Sequence, residues 1–401
     1  MMRGALIRTA TPARTIRVAL AIPLLMLATL CLLDCRLAHA EELDILNPPG
    51  RLVDIGGYRL HIDCRGEGSP TVVMEAGLGG VSLEWLPAQR FLSHYGRVCV
   101  YDRAGNGWSD LGPQPRTTSV IVEELHTLLR NARIPGPYVL VGHSFGGYTA
   151  QLFAERYPDL VAGLVLVDSS HPDQVARFLA PPLYMNTAPS RNTAGVMLMS
   201  GPAAAPANMP EEARTPSMML TASRKARLTV AQEYLYFRDS GEAILRQGGI
   251  PPVPLVVITR GRAERGAEDP RAPVIEALWM QLQDELAEMS PRSAHLVADR
   301  SGHHIHLDQP QLVVDAVTMV LDFARARKAG SPAAGTASTW LAFNGATWRM
   351  DNLHRSPVRE LAPRPGNGQL AALTPTAGHL AWTREPSDQR IPYLQDVAFL
   401  Q

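Results

Sequence analysis

A serine hydroxyl becomes a nucleophile when a base takes its proton, and one serine in this chain is set out for that chemistry. Gly142-His143-Ser144-Phe145-Gly146 reads G-x-S-x-G. An apolar run at 138–141 precedes it, and a helical pattern follows from Phe145 to Tyr157, where Pro158 stops it. A sharp turn between strand and helix strains its central residue. Only small flanking residues allow so close an approach, hence Gly142 and Gly146. The expected result is a Ser144 hydroxyl exposed at the C-terminal edge of a sheet, beside helix N-terminal amides. The alternative is a glycine-rich turn with a merely solvated serine.

Nucleophilic catalysis of this kind needs a histidine base oriented by a carboxylate. The best histidine is His303, in Ser301-Gly302-His303-His304-Ile305-His306, between the last strand pattern and the last helix pattern. His304 and His306 compete with it. Three clustered histidines also raise a metal site, but they lack His-x3-His spacing and a distant further ligand. Asp168 ends the apolar run 164–167, one strand from Ser144, and is favoured as the acid. Glu264 is the alternative, in the loop after the run 255–258, with Glu268 and Asp269 further out. A tetrahedral intermediate also needs donors for its oxyanion. The backbone N–H of Phe145 is one. The N–H of Leu78, in Glu75-Ala76-Gly77-Leu78-Gly79-Gly80, is chosen as the second.

The elements that must hold these residues follow from hydrophobic patterning. Two short strands around Gly56-Gly57 read as a hairpin. Continuous apolar runs at 71–74, 98–101, 138–141, 164–167, 255–258 and 295–298 suit strands covered on both faces. Ile121, Leu125 and Leu128 form a helical stripe, and Val313, Val317 and Leu321 another. Strands alternating with helices imply an α/β fold with a mostly parallel, doubly wound sheet. Residues 171–249 break the alternation and are rich in methionine (Met185, Met197, Met199, Met209, Met218, Met219), which suits an adaptable apolar surface. They are read as a helical cap inserted after the sixth strand, between core segments 41–170 and 250–328. A linker at 329–338 and an irregular or disordered tail at 339–401 complete the chain.

Residues 1–40 read as a signal peptide. Arg3, Arg8, Arg14 and Arg17 precede an apolar stretch from Val18 to Leu33, and Ala38-His39-Ala40 offers a cleavage site. A retained anchor is the alternative. Export to a periplasm or the exterior is expected, where a disulfide is permitted. With 38 basic and 38 acidic residues the formal charge is zero, which gives no footprint for nucleic acid.

These residues together resemble the α/β-hydrolase fold superfamily, from about Leu52 to Ala326. Tyr101-Asp102-Arg103-Ala104-Gly105-Asn106-Gly107-Trp108-Ser109-Asp110 is similar to the family's D-x-x-G-x-G-x-S loop, and Gly302-His303 resembles its late histidine motif. The resemblance implies a structural role for Asp102. Ala76 departs from the histidine many members carry before the oxyanion glycine, and no aspartate stands where the acid is usual after residue 258. Some relatives, the haloalkane dehalogenases among them, place the acid after the strand corresponding to 164–167, which supports Asp168. Those enzymes and the epoxide hydrolases carry an aspartate nucleophile, and Ser144 argues against both. The family's strand order also sets the second strand antiparallel beside the fourth, which implies a Cys64–Cys99 disulfide.

The expectation is an exported serine hydrolase, carboxylesterase-like, acting on a small or medium hydrophobic substrate. Ser144, His303 and Asp168 would form the triad, with no cofactor or metal. The partner is a small-molecule substrate, with no nucleic acid, and with a membrane only through an uncleaved N-terminal segment. A peptidase or amidase, lactonase or thioesterase would use the same machinery. A non-catalytic ligand-binding scaffold is the third reading.

Overall fold

The hairpin and the six apolar runs become eight strands of one sheet in the computed structural model, which describes residues 47–179, 205–246, 248–264 and 269–328, and the backbone at 338–343, 346–352 and 380–385. The strands are β1 Arg51–Asp54, β2 Arg59–Arg65, β3 Thr71–Glu75, β4 Val98–Tyr101, β5 Tyr138–His143, β6 Val161–Val167, β7 Leu255–Arg260 and β8 Ser293–Ala298. Their order is β1-β2-β4-β3-β5-β6-β7-β8. β1 and β2 run antiparallel, as do β2 and β4, and every later pairing is parallel. The sheet is therefore mostly parallel, with its catalytic-candidate loops leaving the C-terminal ends of β3, β5, β6, β7 and β8.

The helices are α1 Leu86–Leu92, α2 Thr118–Asn131, α3 Gly146–Arg156, α4 Gln174–Phe178, α5 Glu211–Ala222, α6 Arg224–Leu235, α7 Phe237–Leu245, α8 Ala272–Ala287, α9 Ile305–Asp308 and α10 Pro310–Lys328. Two-residue alternation sorts the strand side chains between two helical layers. Leu140, Leu164, Leu166 and Val257 pack with Ile121, Leu125 and Leu128 of α2 and with Leu152 and Phe153 of α3. Val139, Val141, Val165, Val167 and Ile258 face the other way, against Ala88 and Leu92 of α1 and Val313, Val317 and Leu321 of α10. Both faces are covered, as the unbroken apolar runs require. α2 begins where the Thr117 hydroxyl accepts the Val120 N–H at 3.4 Å, satisfying one orphan donor of the first turn.

Cys64 and Cys99 are register partners across β2 and β4, with Cα atoms 4.0 Å apart, and their sulfurs are bonded. The closed loop spans a sequence separation of 35. In the chain-entropy model a loop of that size stabilises by about 4 kcal/mol. Urea unfolding with reductant, or of Cys64→Ser with Cys99→Ser, is expected to show about 2–4 kcal/mol less stability than the oxidised chain. Coincident unfolding curves with and without reductant would show that the bond adds nothing.

The α8 helix was not anticipated; the buried stripe Trp279, Leu282 and Leu286 carries it. α4 to α7 all lie between β6 and β7. Of the methionines noted there, Met209 is buried against Leu86, Ala213 and Leu307, whereas Met218 and Met219 are exposed. Met185, Met197 and Met199, the signal segment 1–40 and Glu268 lie outside the described residues. The tail, read as irregular or disordered, contains β9 Ser338–Phe343, β10 Ala346–Asn352 and β11 Leu380–Glu385, antiparallel in the order β11-β10-β9. Among the described residues no helix is long and apolar enough to cross a membrane.

Candidate active site

Ser144 sits between the end of β5 and the start of α3 with φ at 50°, in the left-handed region that costs an L-residue strain. Its two glycine flanks answer to contacts. A β-carbon on Gly142 would stand 2.5 Å from the Gly146 carbonyl oxygen, and one on Gly146 would stand 2.6 Å from that of Glu75. The turn is pinned on both sides: the Ser144 N–H donates to Val167 O at 3.1 Å, and its carbonyl accepts from Ser170 at 3.0 Å. The end of β6, and so Asp168, is thereby tied to the serine.

Asp168 is fully buried and also has positive φ, 40°. Four donors converge on its carboxylate. His303 Nδ1 lies 2.6 Å from Oδ2, and Arg260 Nη1 donates to the same oxygen at 2.9 Å. Trp279 Nε1 and the Arg260 backbone N–H donate to Oδ1 at 2.8 and 3.1 Å. Burial alone would raise the Asp168 pKa, but the His303 contact, the Arg260 charge and the Trp279 hydrogen bond outweigh it and hold it below its ordinary value. An ionised Asp168 accepts only, so His303 donates Nδ1–H and keeps Nε2 unprotonated. Burial pulls the His303 pKa down, yet the Asp168 hydrogen bond and charge prevail and raise it. Glu264, the other sequence candidate, is half exposed and its Oε1 lies 4.0 Å from the same Nδ1. That is beyond hydrogen-bond reach, so of the two carboxylates Asp168 is the one that bonds His303.

Arg260 and Trp279 were missed in the sequence. Arg260 stacks over the Trp279 ring at 4.6 Å and its Nη2 donates to Glu276 at 3.0 Å. Basic residues in the loop after β7 were visible, but nothing local pointed one of them at Asp168.

The rival histidines take other places. His143 donates Nε2–H to the His303 carbonyl at 2.9 Å, tying the elbow to the histidine loop. Burial, then the neighbouring His306, His303 and His304, push the His143 pKa well below normal, so it is neutral. His306 is buried against the Trp85 ring, with Nε2 3.5 Å from Glu84. Glu84, His143 and His306 each offer one donor atom, all within 4.8 Å of one another, and they are the residues that could hold a metal ion among those described. Asp168 is not part of that group. Asp102, outside the catalytic set, bonds His61 at 2.8 Å and the N–H groups of Ser82 and Trp108. It ties β2 to the segments at Ser82 and Trp108, contacts of the structural kind that the resemblance implies.

The loop after β3 lies against the elbow: a β-carbon on Gly77 would be 3.2 Å from Ser144 Cβ. Among the described residues neither the Leu78 N–H nor the Phe145 N–H donates a hydrogen bond within the chain. Amides without an intrachain acceptor, one next to Ser144 in the chain and one next to Gly77, are of the kind an oxyanion site uses.

Known proteins bear on this arrangement. The chain is 28% identical over 261 residues to the uncharacterized protein YqjL of Bacillus subtilis, covering 65% of this chain and 87% of that one. It spans only 18–29% of the length of four further curated relatives. The solved esterase of Thermogutta terrifontis superposes with a TM-score of 0.50 at 22% identity, over 68% of this chain and 98% of that one. The epoxide hydrolase CorEH does so with a TM-score of 0.50 at 19% identity, over 69% and 99%. Likeness at this identity speaks for the fold. Residues 72–316 match the model of the alpha/beta hydrolase family, and with the strand order and the strained serine elbow already seen, the chain belongs to that family.

Proposed function

We propose that this chain is an exported serine hydrolase that cleaves carboxylic esters through an acyl-enzyme. The observation that carries the reading is the buried Asp168–His303 hydrogen bond beside the strained Ser144 elbow. In this reading His303 Nε2 takes the Ser144 proton as Oγ attacks the ester carbonyl. The oxyanion forms against the N–H groups of Phe145 and Leu78. The imidazolium, stabilised by Asp168, returns the proton to the departing alcohol, leaving Ser144 acylated. Water then attacks the acyl carbonyl as His303 takes its proton, and His303 returns that proton to Ser144 Oγ as the bond to the acyl group breaks and the acid is released. Serine rather than aspartate at the elbow separates this chemistry from epoxide opening.

The helices between β6 and β7 are taken as the cap. Phe237 of α7 packs on Phe145 at 5.5 Å between ring centroids, an apolar surround that favours a hydrophobic acyl or aryl group. Export is supported by the N-terminal sequence pattern and by the Cys64–Cys99 bond, which suits an oxidising compartment.

The test pairs a p-nitrophenyl ester with the p-nitroanilide of the same acyl group. Expected is a kcat/KM at least about a hundredfold higher for the ester, since the anilide is the harder leaving group to expel. Comparable rates would move the reading to an amidase. Turnover of neither, with no labelling by a fluorophosphonate, would overturn the hydrolase reading.

A further inference from the structure

We propose that Arg103 is the positioning residue of the oxyanion donors, and that Glu233 makes helix α6 part of the same device. The inference rests on the serine-hydrolase reading above. Arg103 is buried behind the loop that follows β3. Its Nη1 donates to the Ala76 carbonyl at 2.6 Å and its Nη2 to the Gly77 carbonyl at 2.8 Å. In a trans peptide the carbonyl and the next N–H point in opposite directions. Holding these two carbonyls turns the N–H groups of Gly77 and Leu78 away from the guanidinium. The guanidinium carbon also lies 5.3 Å from the ring centroid of Phe145, the residue that bears the other donor. One side chain therefore braces both amides.

The guanidinium is itself fixed from the far side. Glu233 takes Nε at 2.8 Å and Nη2 at 3.1 Å, a two-point clamp. Glu233 is fully buried and lies 130 residues away in sequence. Its helix also leans on the oxyanion loop: a β-carbon on Gly79 would be 3.0 Å from Val230 Cγ2. Arg103 Nη1 also lies 3.3 Å from the buried Glu75 Oε1, so the guanidinium has two carboxylate partners, and Glu233 is the one that grips it at two points. Seating of α6 and orientation of the oxyanion loop are thus one event. A cap helix that left its seat would take Glu233 with it and release the carbonyls that aim the donors. The fork is specific to arginine. A lysine offers one nitrogen and cannot meet two carbonyls and a carboxylate in this geometry.

The experiment measures kcat and KM for p-nitrophenyl butyrate with full-length wild type, Arg103→Lys, Arg103→Ala and Glu233→Gln, each checked for folding by circular dichroism. Expected is a kcat loss of roughly ten- to a hundredfold in Arg103→Lys, up to that of removing one oxyanion donor. KM should stay within about twofold, because a misplaced donor is felt in the transition state. Glu233→Gln should show a smaller loss of the same kind. Guanidinium chloride at non-denaturing concentration should restore part of the kcat of Arg103→Ala and none of that of Ser144→Ala. Unchanged kcat in folded Arg103→Lys would overturn the proposal, as would a rise in KM alone. Activity that tracks only the folded fraction across all three variants would reduce Arg103 to a structural ion pair and overturn it too. Wild type that neither hydrolyses the ester nor labels with a fluorophosphonate would overturn the hydrolase reading first, and this one with it.

Discussion

Ser144→Ala is expected to abolish fluorophosphonate labelling and to lower ester hydrolysis by about 10⁴-fold or more, with the fold intact. The size follows from the chemistry. Without Oγ no acyl-enzyme can form, and what remains is the background that oriented water and oxyanion donors sustain. The substitution is clean because alanine keeps the β-carbon. The φ of 50° at this position is strained for serine and alanine alike, so the backbone meets the same demand in both. Thermal unfolding of the variant should therefore stay close to wild type while labelling disappears. Labelling that survived in Ser144→Ala would place the reactive nucleophile elsewhere in the chain and overturn the proposed mechanism.

The second large effect separates the two carboxylates near His303. Asp168→Asn is expected to lower kcat by about 10³–10⁴-fold, and Glu264→Gln to leave it within about threefold. Asp168 Oδ2 is 2.6 Å from His303 Nδ1, whereas Glu264 Oε1 is 4.0 Å away and half exposed. An asparagine amide can turn its NH₂ toward Nδ1 and favour the tautomer protonated at Nε2, which cannot act as a base. It also removes the negative charge that stabilises the imidazolium. The sign of the pH effect is fixed by the same contacts. His303 must be neutral to take a proton, so kcat/KM falls as pH drops through its pKa. Burial lowers that pKa, but Asp168 outweighs burial and sets it above the ordinary value of 6.5. The acidic limb of wild type should therefore lie above that value. In Asp168→Asn burial remains and the raising partner is gone, so the limb moves to lower pH. In Glu264→Gln it should move down only slightly. A large kcat loss in Glu264→Gln, with Asp168→Asn mildly affected, would exchange the two roles.

Local patterning decided a large share of this protein. The strand–elbow–helix at residues 138–157 is legible because its signals lie within a few turns of chain: an apolar run, two glycines, then a helical stripe. The parallel sheet was legible for the same reason, as unbroken apolar runs have only one stable use, burial on both faces. The Cys64–Cys99 pairing came through the resemblance, since register between β2 and β4 depends on strand order and not on spacing. His303 was favoured over His304 and His306 by its place between the last strand and the last helix, and in the structure it is the one of the three whose Nδ1 meets Asp168.

Only the tertiary structure shows which of the two carboxylates hydrogen-bonds His303. Asp168 and Glu264 both leave C-terminal strand ends near His303, and the sequence separates them by nothing decisive. Trp279 comes from a helix the sequence reading did not contain, and Arg260 from the end of β7; together they desolvate Asp168, donate to it and aim it. Arg103 and Glu233 are likewise invisible as a pair at a separation of 130 residues. Helices and strands leave a periodic trace because each residue repeats the same local geometry. A buried ion pair or a carboxylate with four donors is made by segments that meet only after folding, and no spacing along the chain records where they will meet.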